Sequence, residues 1–208
     1  MRYGKEMIDM GRIYYLMGKS ASGKDTIYEI LKKDCSLHLQ PVVLYTTRPM
    51  RSGEVDGVTY HFVDEDSLLK MQEAGHVIES RTYQTVHGPW TYATVDDGQW
   101  QLGTQDYLAV GVLESYHNIK AYFGSDRVIP LYIEVEDGER LTRALNREKN
   151  QSSPKYEEMC RRFLSDQKDF SEERLREEGI TVRYRNRDLN LCVEEILQVI
   201  RKGIDSAS

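Results

Sequence analysis

Cysteine is scarce in this 208-residue chain: Cys35, Cys160 and Cys192 are far apart and odd in number. That excludes a disulfide framework. No CxxC or Cys/His spacing supports a zinc site either, so reduced thiols in the cytoplasm are the expectation. The five histidines, His38, His61, His76, His87 and His117, show no metal-ligand spacing and read as surface or packing residues. Long apolar runs are missing too. The opening MRYGKEMIDMGRIYYLMG is too polar for a signal peptide, and no later segment approaches a membrane span, so no membrane is expected. Neither charge sign dominates strongly: 28 basic and 34 acidic residues give a net charge of −6. Nothing in that balance suits wrapping nucleic acid. There is no internal repeat or low-complexity tract.

What is present is ordinary globular composition, 39% hydrophobic and 30% charged, in a length that suits one domain carrying inserted subdomains. RIYYLM (Arg12–Met17) reads as a buried strand closed by Gly18, and KDTIYEILKKD (Lys24–Asp34) places Ile27, Ile30 and Leu31 at helical spacing. PVVLYTT reads as a second strand, and VTYHFVD as a third that alternates and leads into the helix EDSLLKMQEAG. HVIES and WTYATV are further short strands. DYLAVGV and VIPLYIEVE are apolar throughout and suit central parallel strands, followed by helices near Ser115–Phe123 and Gly138–Arg147. SPKYEEMCRRFLSDQKDFSEE reads as one long helix starting at Ser153–Pro154. The strand ITVRYRN and the helix DLNLCVEEILQVIRKGI close the chain. Strands alternating with helices imply an α/β layer sandwich with a mostly parallel sheet, and the strand-rich stretch from Thr46 to Asp97 reads as an insertion.

Within that frame, GKSASGKDT (Gly18 to Thr26) has the form of a phosphate-cradling loop. Gly18 ends a strand and Lys24 opens a helix, so backbone N–H groups would converge where the helix dipole is positive. Ser20 and Ser22 add hydroxyls. A solvated strand-to-helix turn is the bland alternative. The loop pattern asks for a hydroxyl after its lysine, but Asp25 stands there and Thr26 comes one place late. Asp25 either serves Mg²⁺, with Thr26 free to donate to a phosphate, or balances the helix dipole in the first turn.

The segment TTRPMRSGEVDGVTYHFV carries two arginines three residues apart. Forked guanidinium hydrogen bonds could hold a phosphate there, although an exposed basic turn has the same composition. The segment closely resembles the nucleoside-monophosphate site of guanylate kinases, T-T-R-x-x-R-x-G-E-x-x-G-x-x-Y-x-F. Thr46, Thr47, Arg48, Arg51, Gly53, Glu54, Gly57, Tyr60 and Phe62 stand at its fixed positions. AGHVIES, VHGPWTYAT and YRNRDLN resemble later family stretches, so the resemblance spans about Arg12 to Ile200.

The resemblance implies a P-loop kinase three-layer sandwich in one domain spanning residues 1–208. Its core would be 12–45, 104–146 and 157–203, its β-rich GMP-binding insertion 46–98, and its lid about 147–156. It implies ATP and Mg²⁺ as cofactors, with Gly18, Lys19, Ser20, Ala21, Ser22, Gly23, Lys24, Asp25 and Thr26 around the donor phosphates. Asp25 and Thr26 would serve the metal, and Asn186 would lie beside the adenine. Arg48, Arg51, Tyr60 and Tyr92 would hold the acceptor phosphate, Glu79 would read guanine, and Thr94 would contact the base. Lys24, Arg48, Arg147 and Arg162 would be the catalytic cations, with Arg143 a further lid candidate. The implied partners are the small molecules ATP and GMP, with no nucleic acid and no membrane. The oligomeric state is left open.

The chain also departs from the family pattern. Where guanylate kinases carry I-D-x-Q-G on a core strand, AVGVLE supplies Ala109, Gly111, Leu113 and Glu114 and no aspartate; Leu44 replaces a serine four positions before Arg48. A carboxylate lost from the strand and gained in the loop keeps the charge of the site, so Asp25 reads as compensatory. G-K-D without strand aspartates also resembles ribose bisphosphate phosphokinases, which lack the arginine–glycine–glutamate segment. The third alternative, a guanylate-kinase-like domain that binds proteins without catalysis, fits poorly with an intact loop.

Overall fold

The computed structural model describes residues 11–85 and 88–205. β1 (Ile13–Gly18) is buried at every position because both of its faces are covered. Ile13, Tyr15 and Met17 pack with Tyr116 and Ile119 of α3 (Leu113–Phe123) and with Phe170 and Leu175. Tyr14 and Leu16 turn to the opposite face, against Ile27 and Leu31 of α1 (Lys24–Lys33) and Val193, Ile196 and Ile200 of α7 (Leu189–Asp205). Burying a side chain of that size contributes roughly 1.5–3 kcal/mol. This is the three-layer arrangement that the apolar strands predict.

All strand pairs of the central sheet are parallel, in the order β2 (Gln40–Pro41), β7 (Tyr107–Gly111), β1, β8 (Val128–Glu134), β9 (Tyr184–Arg185). β1 and its two long neighbours all finish at one edge, where the loop after Gly18 emerges. Open parallel sheets bind ligands at that edge. The second sheet has the order β4 (His61–Phe62), β3 (Tyr45–Thr46), β6 (Gly88–Val95), β5 (Val77–Thr85). Its β3–β4 pair is parallel and the others are antiparallel. Tyr45, Ala93 and Val95 form its small core with Leu68 of α2 (Glu65–Glu73), a helix capped by Asp64.

Four elements differ from their sequence expectation. PVVLYTT is two short strands, one in each sheet. Between them the chain changes partner: Val42 N–H donates to Leu108 O (3.0 Å), whereas Leu44 O accepts from His61 N–H (2.8 Å). VTYHFVD and ITVRYRN keep only two-residue strands, β4 and β9, with Tyr60 of the former in an isolated bridge to Asp56. The long helix from Ser153 is broken. α4 (Asp137–Lys149) places Glu148 to accept from Lys155 N–H (2.9 Å), which holds residues 150–155 outside any helix. α5 (Tyr156–Asp169) then stops, and Ser171 caps α6 (Glu172–Glu177) through Arg174 N–H. A serine cap satisfies an otherwise orphaned donor, so the new helix starts there.

Candidate active site

Gly18 and Gly23 are fixed by close approach. A Cβ at Gly18 would stand 2.7 Å from Ile133 O, and one at Gly23 would collide with Asn186 Nδ2. Gly23 has φ 86° and Ala21 has φ 61°. Left-handed residues alternating in this way turn successive N–H groups to one concave side. Gly23 also sits at the N-cap of α1 with no side-chain hydrogen bond, so the helix start keeps its free donors. The Ser22 hydroxyl is buried without a hydrogen-bond partner. The loop therefore offers donors in surplus, which is what an anion requires.

Asn186 is buried, and its side-chain amide donates to Ser22 O (2.8 Å). Its own carbonyl accepts from Arg143 Nη2 (3.0 Å). The β9–α7 connection is thereby tied to the phosphate loop from the donor side. Lys24 is the first residue of α1, not a loop residue. Its ammonium is 20% exposed and lies 3.5 Å from the Asp25 carboxylate, itself 82% exposed. Among the described residues no group of three or more His, Cys, Asp or Glu residues converges, so there is no all-protein metal cage among them. Asp25 with Thr26 beside it does fit a Mg²⁺ that arrives on a nucleotide, since that ion keeps waters and takes one or two carboxylates plus phosphates. β7 adds no carboxylate. A Cβ at Gly111 would collide with the Tyr15 phenol oxygen, which occupies that space.

The arginine segment divides its two cations. Arg48 is buried and is consumed locally: Nη1 and Nη2 meet Glu54 (2.9 and 2.7 Å), Nη1 also meets Pro49 O, and Nε meets the Tyr92 hydroxyl (3.2 Å). Its guanidinium hydrogen bonds hold the Glu54 carboxyl down to about 2. Arg51 is different. Its N–H is anchored by Glu54 (2.7 Å), its guanidinium lies over the Trp90 ring at 5.9 Å, and its charge reaches the Glu54 carboxylate. The forked donor is thus presented outward. Tyr60 stacks edge-on against Tyr92. Burial raises the Tyr60 pKa, with Tyr92 and, from the first turn of α1, Asp25 adding to the shift. Tyr60, beyond the arginine pair in sequence, is therefore within electrostatic range of α1.

Glu79 has a side chain only 1% exposed. Thr94 Oγ1 donates to its Oε1 (2.7 Å), while Ser115 Oγ (3.0 Å) and Arg81 Nε (3.3 Å) donate to Oε2. The Tyr15 phenol, its pKa pushed up by burial, lies close enough to feel the charges of Arg81 and Glu79. Glu79 is thus the centre of a buried polar network.

The lid arginines are not gathered together. Arg147 is exposed near the end of α4, and Arg162 is exposed and paired with Glu158 (2.8 Å). Glu158 also binds Arg161 (2.7 Å), whose pKa is raised by that bond and, more weakly, by Tyr83 of β5. Arg161, which the sequence did not single out, is therefore within electrostatic range of the small sheet. Arg140 was missed too. It is 1% exposed, binds Asp137 (2.6 Å) and Ser20 O (3.0 Å), and stacks on Phe163. Asp166 accepts from Ser20 N–H (2.7 Å) and Gln167 from Lys19 (2.7 Å), so α4 and α5 grip the start of the loop. The signal was available: Arg140, Ala144 and Glu148 form an i, i+4, i+8 stripe. Arg81 was legible as well, since it shares a strand face with Glu79. Tyr15 and Ser115 had no local signal, because only the tertiary fold brings them to Glu79.

A sequence model of the guanylate kinase family matches residues 10–172. Similar proteins include guanylate kinases of Alcanivorax borkumensis (32% identical over 110 residues; 48% of this chain, 53% of the relative) and Zymomonas mobilis (43% over 86 residues; 38% of each). A Pseudomonas fluorescens guanylate kinase is 41% identical over 69 residues, 33% of each chain. The matched stretches thus span from a third to about half of those relatives. Among solved structures, a guanylate kinase from Anaplasma phagocytophilum is similar with a TM-score of 0.58 at 21% identity, covering 93% of this chain and 86% of its own. That likeness is one of fold.

Proposed function

This chain belongs to the guanylate kinase family, and from that premise we propose that it transfers the γ-phosphoryl group of ATP to the phosphate of GMP or dGMP. The products are ADP and the corresponding diphosphate. The acceptor phosphate is already ionised, so the reaction needs no general base. Its rate depends on in-line positioning and on neutralising charge on the transferred group. Lys24 and the N–H groups of the loop take the donor phosphates, Arg51 with Tyr60 and Tyr92 takes the acceptor phosphate, and Arg48 with Glu54 fixes Tyr92. Asp25 and Thr26 would hold Mg²⁺, which supplies charge neutralisation when bound. Arg147, Arg161 and Arg162 are the lid cations available to closure, which would exclude water. Residues 46–98 act as the acceptor insertion, about 147–156 as the lid, and 12–45, 104–146 and 157–203 as the core.

What supports this reading most is that the Tyr60–Tyr92 pair lies within electrostatic reach of the first turn of α1, whose start carries no side-chain cap. Incubation with ATP, Mg²⁺ and GMP should yield GDP and ADP one for one by chromatography; ADP without GDP would contradict it.

Arg51→Ala should raise KM for GMP roughly tenfold to a hundredfold and leave KM for ATP nearly unchanged. A charged hydrogen bond of this kind is worth about 1.5–3 kcal/mol, and the exposed guanidinium is held in the fold by the Trp90 ring and the Glu54 charge alone among the described residues. Equal loss for both substrates in steady-state kinetics would place Arg51 elsewhere.

Asp25→Ala should raise the Mg²⁺ concentration for half-maximal rate, with Asp25→Ser milder. An exposed pair with Lys24 contributes little to stability, about 0–1 kcal/mol, so the thermal midpoint should hardly move. Identical Mg²⁺ titrations for wild type and both variants would leave Asp25 as a dipole cap only.

A further inference from the structure

On β5, Glu79, Arg81 and Tyr83 share one face, and across it β6 presents Thr94, Tyr92 and Trp90 as their paired partners. The Glu79 carboxylate has room for about four hydrogen bonds, two at each oxygen. Three are already made, by Thr94, Ser115 and Arg81. Guanine brings two adjacent donors, N1–H and the 2-amino group, so a carboxylate that accepts both must release one of the three. Thr94 and Ser115 are buried on β6 and α3, and their bonds are 2.7 and 3.0 Å. The Arg81 bond is the longest at 3.3 Å, on the only one of the three side chains that is long and flexible, 14% exposed. Beyond Glu79, that guanidinium makes only a 3.5 Å contact from Nη1 to the Tyr83 hydroxyl among the described residues. It lines a cavity of about 390 Å³ whose other charged groups are Glu114, Asp169 and Arg174.

We propose that Arg81 is a specificity-determining residue that guards Glu79 in the empty site and reads the base in the filled one. Entry of guanine displaces Arg81 from Glu79. The freed fork turns to O6 and N7, the two acceptors next along the edge of the same base. Arginine spanning O6 and N7 is the commonest specific contact to guanine because the fork matches that spacing. Adenine offers N7 beside an amino donor and would repel one arm of the fork. Leu44 packs against the core and brings no hydrogen-bonding group to the base. This inference rests on GMP being the acceptor.

The test compares GMP with 7-deaza-GMP, which keeps N1–H, the 2-amino group and O6 but carries C–H in place of N7. Wild type should prefer GMP by roughly tenfold or more in kcat/KM, expressed mainly in KM for the monophosphate. Arg81→Ala should lose roughly tenfold to a hundredfold on GMP, treat both monophosphates alike, and keep the wild-type KM for ATP. Arg81→Lys, which keeps the charge without the fork, should restore GMP turnover in part and little of the preference. An unaltered GMP to 7-deaza-GMP ratio in both variants overturns the proposal, and so does a wild type indifferent to N7. Failure of wild type to use GMP at all would sink the acceptor assignment itself. A normal GMP rate with an Arg81-independent ratio sinks this inference alone.

Discussion

Lys24→Ala is expected to lower kcat by a factor of about 10² or more, with the fold intact. The ammonium stands on the first turn of α1, where Asp25 is its ion partner at 3.5 Å. Such a half-solvated pair contributes about 0–1 kcal/mol, so its removal leaves folding almost untouched. In the reaction, however, charge builds on the transferred phosphoryl group, and a preorganised cation is worth far more there than in water. A loss of about 10² corresponds to about 2.7 kcal/mol of transition-state stabilisation. Circular dichroism and the thermal midpoint should match wild type while the single-turnover rate collapses. Near-normal turnover would mean that the glycine-rich loop is not the donor site.

The second large effect concerns the base. GMP should exceed AMP by about 10⁴ in kcat/KM, because a site built to hydrogen-bond a substrate rejects an analogue that leaves its polar groups unpaired. Adenine has an acceptor at N1 and no 2-amino group, so the Glu79 carboxylate would face a lone pair. Glu79→Gln should shrink the ratio by weakening GMP, since the amide turns one of its two acceptor edges into a donor. The variant also deprives Arg81 of its counter-charge and Thr94 or Ser115 of an acceptor. Its thermal midpoint should be read beside its kinetics, and KM for ATP should stay near wild type. An unchanged GMP to AMP ratio in a folded Glu79→Gln protein would remove Glu79 from base recognition.

Much of this is legible in the order of the residues. The strands RIYYLM, DYLAVGV and VIPLYIEVE are apolar at nearly every position because the sheet is covered on both faces; a strand with one solvated face would alternate instead. The loop is legible because Gly18 is demanded by the Ile133 carbonyl beside it, and Gly23 by its positive φ and the buried Asn186 amide. What is not legible lies in partner choice. Nothing in PVVLYTT says that the chain leaves one sheet for another at Val42–Leu44. The sequence alone does not say that Arg48 spends its guanidinium on Glu54 while Arg51 stays exposed. The strand aspartate is merely absent from the sequence; in the fold, the Tyr15 phenol fills its place and joins the network behind Glu79. The sheet change at Val42 and the Tyr15 phenol at Gly111 are long-range facts, set by pairing and packing against β7, whereas the choice between Arg48 and Arg51 is made within one turn by the Glu54 carboxylate.

The central claim is that a phosphate loop holding ATP faces a site built for GMP. It is tested most directly by measuring kcat/KM for ADP release from ATP across GMP, dGMP, AMP, UMP and ribose bisphosphate under one Mg²⁺ concentration. The account predicts that GMP and dGMP stand orders of magnitude above the other three. Ribose bisphosphate or AMP matching GMP, or no acceptor-dependent ADP release from a folded protein, would contradict it.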